Sequence, residues 1–140
     1  MRDYVIFTDS ACDIKPELLA EWGVPYRCLT FRFDGEEKEY SNDDMSVAEF
    51  YNKMREGGVA KTSAVNPEEF ALVFEPILAA GEDILYIGFS SGLSTTCNSG
   101  RIAADKLSEK YPERKIIAID TLCASAGEGL IVKLVLDKKN

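Results

Sequence analysis

The sequence predicts an α/β fold in which helices cover both faces of a mostly parallel sheet, a three-layer arrangement. Short and continuously apolar runs at residues 4–7, 84–89 and 116–119 have the composition of strands that are buried on both faces. These runs alternate with longer segments whose apolar residues recur at helical spacing. Alternation of the two patterns is typical of parallel strands that are connected through helices.

Residues 16–22 follow the first strand and are predicted to form a helix. Pro16 suits the first helical position, because the N–H that proline lacks would be unpaired there, and Gly23 suits the C-terminal cap. The next predicted elements are strands at 26–33 and 37–40, which the Asp-Gly turn between them joins as a hairpin.

A capping box starts the second predicted helix, because Ser46 is followed three residues later by Glu49. This helix is predicted over 47–56, and Phe50 and Met54, which are four residues apart, are expected to face the core together.

The rest of the chain continues the alternation of helices and strands. The predicted elements are a hydroxyl-bearing loop at 61–66, a helix over 67–79, the strand 84–89, a helix from Ser94 or a neighbour to about 110, the strand 116–119, and a helix over 124–136. The expected buried stripe of the helix that ends near 110 is Ile102, Ala103 and Leu107, and the last helix carries the apolar residues Leu130, Ile131, Leu134 and Val135.

The composition is that of an ordinary soluble globular protein, with 46% hydrophobic and 29% charged residues, and residues 1–140 are expected to form a single α/β domain. The net charge of −8 disfavours a nucleic-acid partner, because the phosphate backbone would be repelled. No apolar run approaches the roughly 20 residues of a membrane span. No signal peptide is visible either, so a cytoplasmic location without stable membrane insertion is expected.

The chain contains no histidine, and its four cysteines lack C-x-x-C spacing. The cysteines, which we expect to be free thiols, are Cys12, Cys28, Cys97 and Cys123. Without histidine a zinc site is disfavoured, and the standard Ser-His and Cys-His mechanisms are unavailable within this chain. We therefore expect no metal and no cofactor.

Acidic and hydroxyl side chains follow three of the predicted strands, and a further hydroxyl pair lies in the 61–66 loop. The pairs are Asp9-Ser10, Ser90-Ser91, Asp120-Thr121 and Thr62-Ser63. The carboxyl ends of parallel strands meet at one edge of a sheet, where helix N-termini offer free N–H groups. Each hydroxyl alone is more simply a helix cap, but together the pairs favour a binding site for a carboxylate or phosphate.

Three alternatives to this anion site are weaker. A nucleotide is disfavoured because the chain has no P-loop and the glycines at 127–129 lack the third glycine of a dinucleotide fingerprint. Asp9 and Asp120 could be paired acid–base carboxylates or magnesium ligands, although accepting hydrogen bonds from loop amides is the simpler interpretation. Residues 88–92 fit the G-x-S-x-G elbow of a serine esterase, but Ser90 has no histidine base and nothing singles out Lys61 in that role.

At these residues the chain resembles the DegV family of bacterial fatty-acid-binding proteins. The matching motifs are residues 8–14, 61–63, 90–94 and 120–121, in that order. The resemblance implies a non-catalytic carrier that holds a long-chain fatty acid and presents its carboxylate to a fatty acid kinase. It also implies that Thr62 and Ser94 hydrogen-bond the carboxylate. The supporting polar shell would be Asp9, Ser10, Ser63, Ser90, Ser91, Asp120 and Thr121.

The chain also departs from the pattern of the family. It has Thr-Thr-Cys at 95–97 where the family usually has Gly-Thr-Tyr, and Thr-Ser-Ala-Val at 62–65 where Thr-Ser-Gln-Pro is common. The resemblance covers only the N-terminal domain of the family, so the C-terminal domain, which would supply further polar groups and part of the enclosing wall, is absent from this chain. Apolar surface that a second domain would cover favours self-association.

Overall fold

The computed structural model describes residues 3–139 and contains two sheets. The strands are β1 (Tyr4–Asp9), β2 (Tyr26–Arg27), β3 (Thr30–Phe33), β4 (Tyr40–Ser41), β5 (Ala60–Ser63), β6 (Asp83–Gly88) and β7 (Ile116–Asp120). The helices are α1 (Pro16–Glu21), α2 (Val47–Arg55), α3 (Pro67–Ala79), α4 (Thr96–Lys110) and α5 (Ser125–Lys139), with a short 3₁₀ helix at Ser10–Cys12.

The larger sheet has the order β2-β1-β6-β7, and all of its neighbouring strands are parallel. Successive residues of a strand point to opposite faces, so each central strand contributes to two cores. Phe7 and Tyr86 pack with α3 and α4 on one face, whereas Ile6 and Ile87 pack with α5 on the other. The predicted fold is confirmed: helices cover both faces of a parallel sheet.

Aromatic side chains form the centre of the core beneath α3. Phe74 makes an edge-on contact with Phe7 at a centroid distance of 5.1 Å, and Phe70 lies 4.9 Å from the ring of Tyr86. All four rings are at most 1% exposed. This cluster joins α3 to β1 and β6, so it fixes the helix that begins next to the polar strand ends.

The smaller sheet corrects two predictions. The single strand expected at 26–33 is two strands in different sheets, because the chain leaves the main sheet after Arg27 and the Leu29 N–H donates to Ser10 Oγ at 2.9 Å. The loop expected at 61–66 begins as β5, which pairs antiparallel with β3 in the sheet order β4-β3-β5. β5 has the sequence Ala-Lys-Thr-Ser, so it lacks the apolar alternation by which a strand is recognised in sequence.

Helix boundaries agree with the capping residues. Asn66 Oδ1 accepts a hydrogen bond from the Glu69 N–H at 2.9 Å, and Glu69 Oε2 accepts one from the Asn66 N–H at 3.0 Å, a complete capping box for α3. Ser46 Oγ accepts from the Glu49 N–H at 3.2 Å and starts α2. Gly23 follows α1 with φ of +65°, the left-handed conformation that glycine adopts without strain.

Burial differs from the prediction at the edge of the sheet. β7 is an edge strand, and α5 packs over β1 and β6, so Ile117 and Ile119 remain 54% and 40% exposed. A continuous apolar run predicts burial on both faces, but it cannot show whether a helix lies over each face. Met54 and Ile102 were also expected to be buried but are exposed, and Leu130 and Leu134 of the last helix are exposed as well.

Within residues 3–139, no helix is both long and apolar enough to cross a membrane. All four cysteines are free thiols, as predicted.

Candidate functional site

The loop at residues 89–95 connects β6 to α4 and is held by carboxylates from both neighbouring strands. Asp9, at the end of β1, accepts a hydrogen bond from the Phe89 N–H at 3.0 Å. Asp120, at the end of β7, accepts one from the Ser91 N–H at 3.1 Å. The three strand ends that the sequence marked with polar residues therefore do meet at one edge of the sheet.

Thr121 and Asp120 complete this network on the side of β7. The Thr121 hydroxyl donates to the Gly88 carbonyl at 2.8 Å, and Asp120 also accepts from the Leu122 N–H at 3.0 Å. Hydrogen bonds from Ser91 hold the pKa of Asp120 below its usual range. Asp120 is thus ionised at neutral pH and acts as an acceptor that orders the 89–95 loop.

Ser90 lies inside the loop rather than on its surface. It is only 6% exposed, its N–H donates to the Cys123 carbonyl at 2.9 Å, and its Oγ accepts from the Gly92 N–H at 3.2 Å. An esterase nucleophile has to reach a substrate and needs an adjacent base. Lys61 does not fill that role, because it pairs with Asp34 at 2.8 Å. The geometry does not favour the esterase alternative.

Ser94 precedes α4 and caps its first turn. Its Oγ accepts from the Thr96 N–H at 3.1 Å and lies 2.9 Å from Thr96 Oγ1. Ser94 is half-buried, whereas Thr96 is fully buried. A hydroxyl therefore lies at the N-terminus of a 15-residue helix, where the free N–H groups and the helix dipole favour a negative charge.

The sequence predicted that Thr62 lies in a loop at the start of a helix, but the structure places it in strand β5. It is exposed and paired with Phe31 across the small sheet. Both residues line a groove of about 360 Å³ between the small sheet and α2. The apolar side chains of the groove are Phe31, Met45, Val47, Phe50 and Tyr51, and its polar ones are Asp13, Asn42 and Thr62.

A hydrogen bond connects the end of β5 with the start of α4. The Val65 N–H donates to Thr96 Oγ1 at 3.4 Å, and Thr96 in turn contacts Ser94. Three residues of extended chain span at most ~11 Å, so Thr62 lies within that distance of Val65. The segment that follows Thr62 therefore contacts the start of α4, where Ser94 lies.

Two members of the predicted polar shell have other surroundings. Ser10 is turned away from the 89–95 loop, because its Oγ accepts from the Leu29 N–H. Ser63 is exposed at the end of β5, where it pairs with Thr30.

A buried polar cluster beneath the loop was not predicted. Asp9 accepts the Tyr86 hydroxyl at 2.6 Å, and Glu128 of α5 accepts the Thr8 hydroxyl at 3.4 Å; none of the four side chains is exposed. Burial raises the pKa of Tyr86, so its hydroxyl remains a donor. An acid between two glycines in an apolar helix is the one sequence signal that marks Glu128 as unusual.

The whole fold has relatives of known sequence and structure. The family profile described as "Uncharacterised protein, DegV family" matches residues 3–137. A DegV domain-containing protein of Clostridium perfringens is 41% identical over 133 residues, which are 94% of this chain and 46% of that protein.

Two solved structures are also similar. A stearic-acid-binding protein of Eubacterium ventriosum superimposes with a TM-score of 0.89 at 28% identity, over 97% of this chain and 47% of that one. A DegV family protein of Thermus thermophilus, described for its fatty acid binding, superimposes with a TM-score of 0.83 at 30% identity, over 98% and 47%. The chain spans about half the length of these relatives.

Proposed function

Because this chain belongs to the DegV family, we propose that it binds a long-chain fatty acid, with the carboxylate held by the hydroxyls of Thr62 and Ser94. One observation carries the proposal: Thr62 lines an apolar groove, and the segment that follows it is hydrogen-bonded to the start of α4, where the Ser94 hydroxyl lies. Hydroxyl and amide donors at a helix start suit a carboxylate. They hold it without the base or nucleophile that an enzyme needs.

The groove has the size and lining that an acyl chain requires. Its volume of about 360 Å³ lies within the roughly 300–1,000 Å³ of small-molecule sites, and aromatic and aliphatic side chains make up most of its wall. Burial of an acyl chain contributes ~0.8 kcal/mol per methylene, so affinity would come mainly from the chain and orientation from the hydroxyls.

The structural neighbours support this assignment. The proteins of Eubacterium ventriosum and Thermus thermophilus are described as binding stearic acid and fatty acid, respectively. Since each is about twice as long as this chain, we propose that their additional length contains the second domain, which would close the groove from the outside. In this proposal the chain is a carrier without catalytic activity of its own.

The partner in this proposal is a fatty acid kinase that acts on the bound carboxylate. Thr62 is exposed, so the carboxylate end would lie at the surface, where a second protein can reach it. Incubating the loaded protein with a fatty acid kinase and ATP is expected to yield acyl phosphate; release of free fatty acid without phosphorylation would contradict this role.

Fatty acid binding is tested directly with palmitate and oleate. Mass spectrometry of an organic extract of the purified protein is expected to find a fatty acid, and the delipidated protein is expected to take up either acid. Thr62→Ala and Ser94→Ala should each weaken binding about 2- to 150-fold, because one hydrogen bond contributes roughly 0.5–3 kcal/mol.

Ser108→Ala is the matched control for these substitutions, because Ser108 lies at the other end of α4 and donates to the Ala104 carbonyl. The affinity of Ser108→Ala for palmitate and oleate should equal that of the unchanged protein. Absence of any bound or added fatty acid would contradict the function, whereas full affinity in both site variants would contradict only the assignment of the two hydroxyls.

Self-association is also expected, because Ile117 and Ile119 form an exposed apolar strip on β7, the edge strand of the larger sheet beside β6. Light scattering coupled to gel filtration should give a mass above that of the 15.5 kDa chain at micromolar concentration. Ile119→Lys should lower that mass. A monomer at every concentration would refute this expectation.

A further inference from the structure

Glu128 is a buried acid that the proposed site does not use. It lies in the first turns of α5, its side chain is 0% exposed, and its nearest donor is the Thr8 hydroxyl, 3.4 Å from Oε1. Among residues 3–139, no hydrogen-bond partner contacts its other oxygen, Oε2. A buried oxygen without a donor is costly for an ionised carboxyl, so this arrangement suits a carboxyl that carries a proton.

Asp9 is the neighbouring acid, and burial raises its pKa as well, but hydrogen-bond donors oppose that shift. It accepts hydrogen bonds from the Tyr86 hydroxyl at 2.6 Å, the Phe89 N–H at 3.0 Å and the Ala11 N–H at 3.1 Å. Three donors stabilise a carboxylate far better than the single long contact of Glu128. When the two acids share one negative charge, it therefore resides on Asp9.

The electrostatic surroundings of Glu128 are acidic or neutral. Burial, followed by the charge of Asp9, raises the pKa of Glu128 to about 9. The titratable groups that interact with Glu128 in the described chain are Asp9 and Asp13, Cys12 of the 3₁₀ helix, Tyr86 of β6 and Cys97 of α4. None of these groups is a cation, so loss of the Glu128 proton would leave two buried negative charges side by side.

The charge of Asp9 is connected to the position of Ser94. Asp9 binds the Phe89 N–H at the first residue of the 89–95 loop. The next residue, Ser90, accepts hydrogen bonds from both the Leu93 and Ser94 N–H groups through its carbonyl, at 3.0 and 3.1 Å. The turn that carries Ser94 therefore starts one residue after Phe89, the residue that Asp9 holds.

We propose that Glu128 is a positioning residue for the fatty acid site: its protonated carboxyl allows Asp9 to remain a buried carboxylate, which holds the loop that carries Ser94. The effect on ligand affinity rests on the proposed function, whereas the effect on the loop does not. Above the pH at which Glu128 ionises, repulsion between the two acids moves Asp9 and loosens the turn.

The sign of the pH dependence follows from proton binding. Unfolded Glu128 titrates near its ordinary pKa, and the folded protein retains the proton up to about pH 9. Between these values the folded state binds more protons, so this residue's contribution to stability falls as the pH rises and is lost above about pH 9. Glu128→Gln keeps the size of the side chain but cannot ionise, so its thermal midpoint should fall less between pH 6 and 10 than that of the unchanged protein.

The loop effect is measured by NMR on the ligand-free protein. The amide signals of Phe89 and Ser94 should shift together with one midpoint above pH 7, and both shifts should be absent in Glu128→Gln. Asp137→Asn, at an exposed acid of the same helix, should keep them. No common titration in the unchanged protein, or one that persists in Glu128→Gln, would overturn the proposal.

The ligand effect is measured as the palmitate dissociation constant from pH 6 to 10. It should rise at least tenfold in the unchanged protein above pH 9 and remain flat in Glu128→Gln; equal pH profiles for the two proteins would overturn the proposed link to binding. If no palmitate binds at any pH, the proposed function fails, while the NMR titration still decides whether Glu128 positions the loop.

Discussion

Phe74→Ala is expected to lower the free energy of unfolding by about 3–5 kcal/mol, the range for removing a fully buried aromatic side chain. Phe74 is 0% exposed and contacts Phe7, Phe70 and Tyr86 through its ring. The cavity left by an alanine would be surrounded by three aromatic side chains whose packing in rotamer minima limits collapse. Urea denaturation followed by circular dichroism measures the change.

Leu72→Ala is the control in the same helix. Leu72 is 74% exposed, so its truncation should change the free energy of unfolding by no more than ~0.5 kcal/mol. If the two variants lost similar amounts of stability, α3 would not be docked on β1 and β6 through its aromatic face. Since α3 starts beside the proposed site, Phe74→Ala should also weaken palmitate binding when a fraction of the protein is unfolded.

Gly100→Ala is expected to destabilise the protein by about 1–3 kcal/mol, although alanine is the better helix former. A Cβ at Gly100 would lie 2.5 Å from Tyr86 Cε1 and 2.8 Å from Cδ1. Tyr86 cannot move aside easily, because its ring is buried and its hydroxyl is bound to Asp9. The cost of overpacking therefore exceeds the gain in helix propensity of roughly 1 kcal/mol.

Gly127→Ala, the same substitution at another helical glycine, is expected to stabilise the protein. Gly127 lies near the start of α5 and is exposed. A Cβ added at this residue would lie 3.4 Å from its nearest neighbour, the Cβ of Cys123. Without a clash, the alanine should raise the free energy of unfolding by about 0.5–1 kcal/mol. Thermal unfolding of the two variants compares them; destabilisation of both, or of neither, would show that the contact with Tyr86 does not decide the outcome at Gly100.

Much of the fold follows from local patterns. The central strands are continuous apolar runs because both of their faces meet helices, and the capping residues Asn66 and Ser46 mark where α3 and α2 begin. The polar residues after β1, β6 and β7 were sufficient to predict that these strand ends meet. They do so through Asp9 and Asp120, which bind the amides of the 89–95 loop.

Other features depend on partners that are distant in the chain. β5 has no apolar alternation, and it is a strand because β3 offers it an antiparallel edge. Ile117 belongs to an apolar run like that of β6, yet it is exposed because α5 packs over β1 and β6. Glu128 is marked in the sequence only by its two flanking glycines, and it is buried because α5 packs against the end of β1 beside Thr8 and Asp9.

The sequence by itself determined the layer architecture, most helix boundaries and the family, because these depend on the local order of apolar, polar and capping residues. Only the tertiary structure decided that Thr62 lies on a strand beside an apolar groove, that Ser90 is enclosed by its own loop, and that a second acid lies under Asp9. The physical reason is that burial, strand pairing and the protonation of a buried acid depend on which groups lie opposite a residue in space.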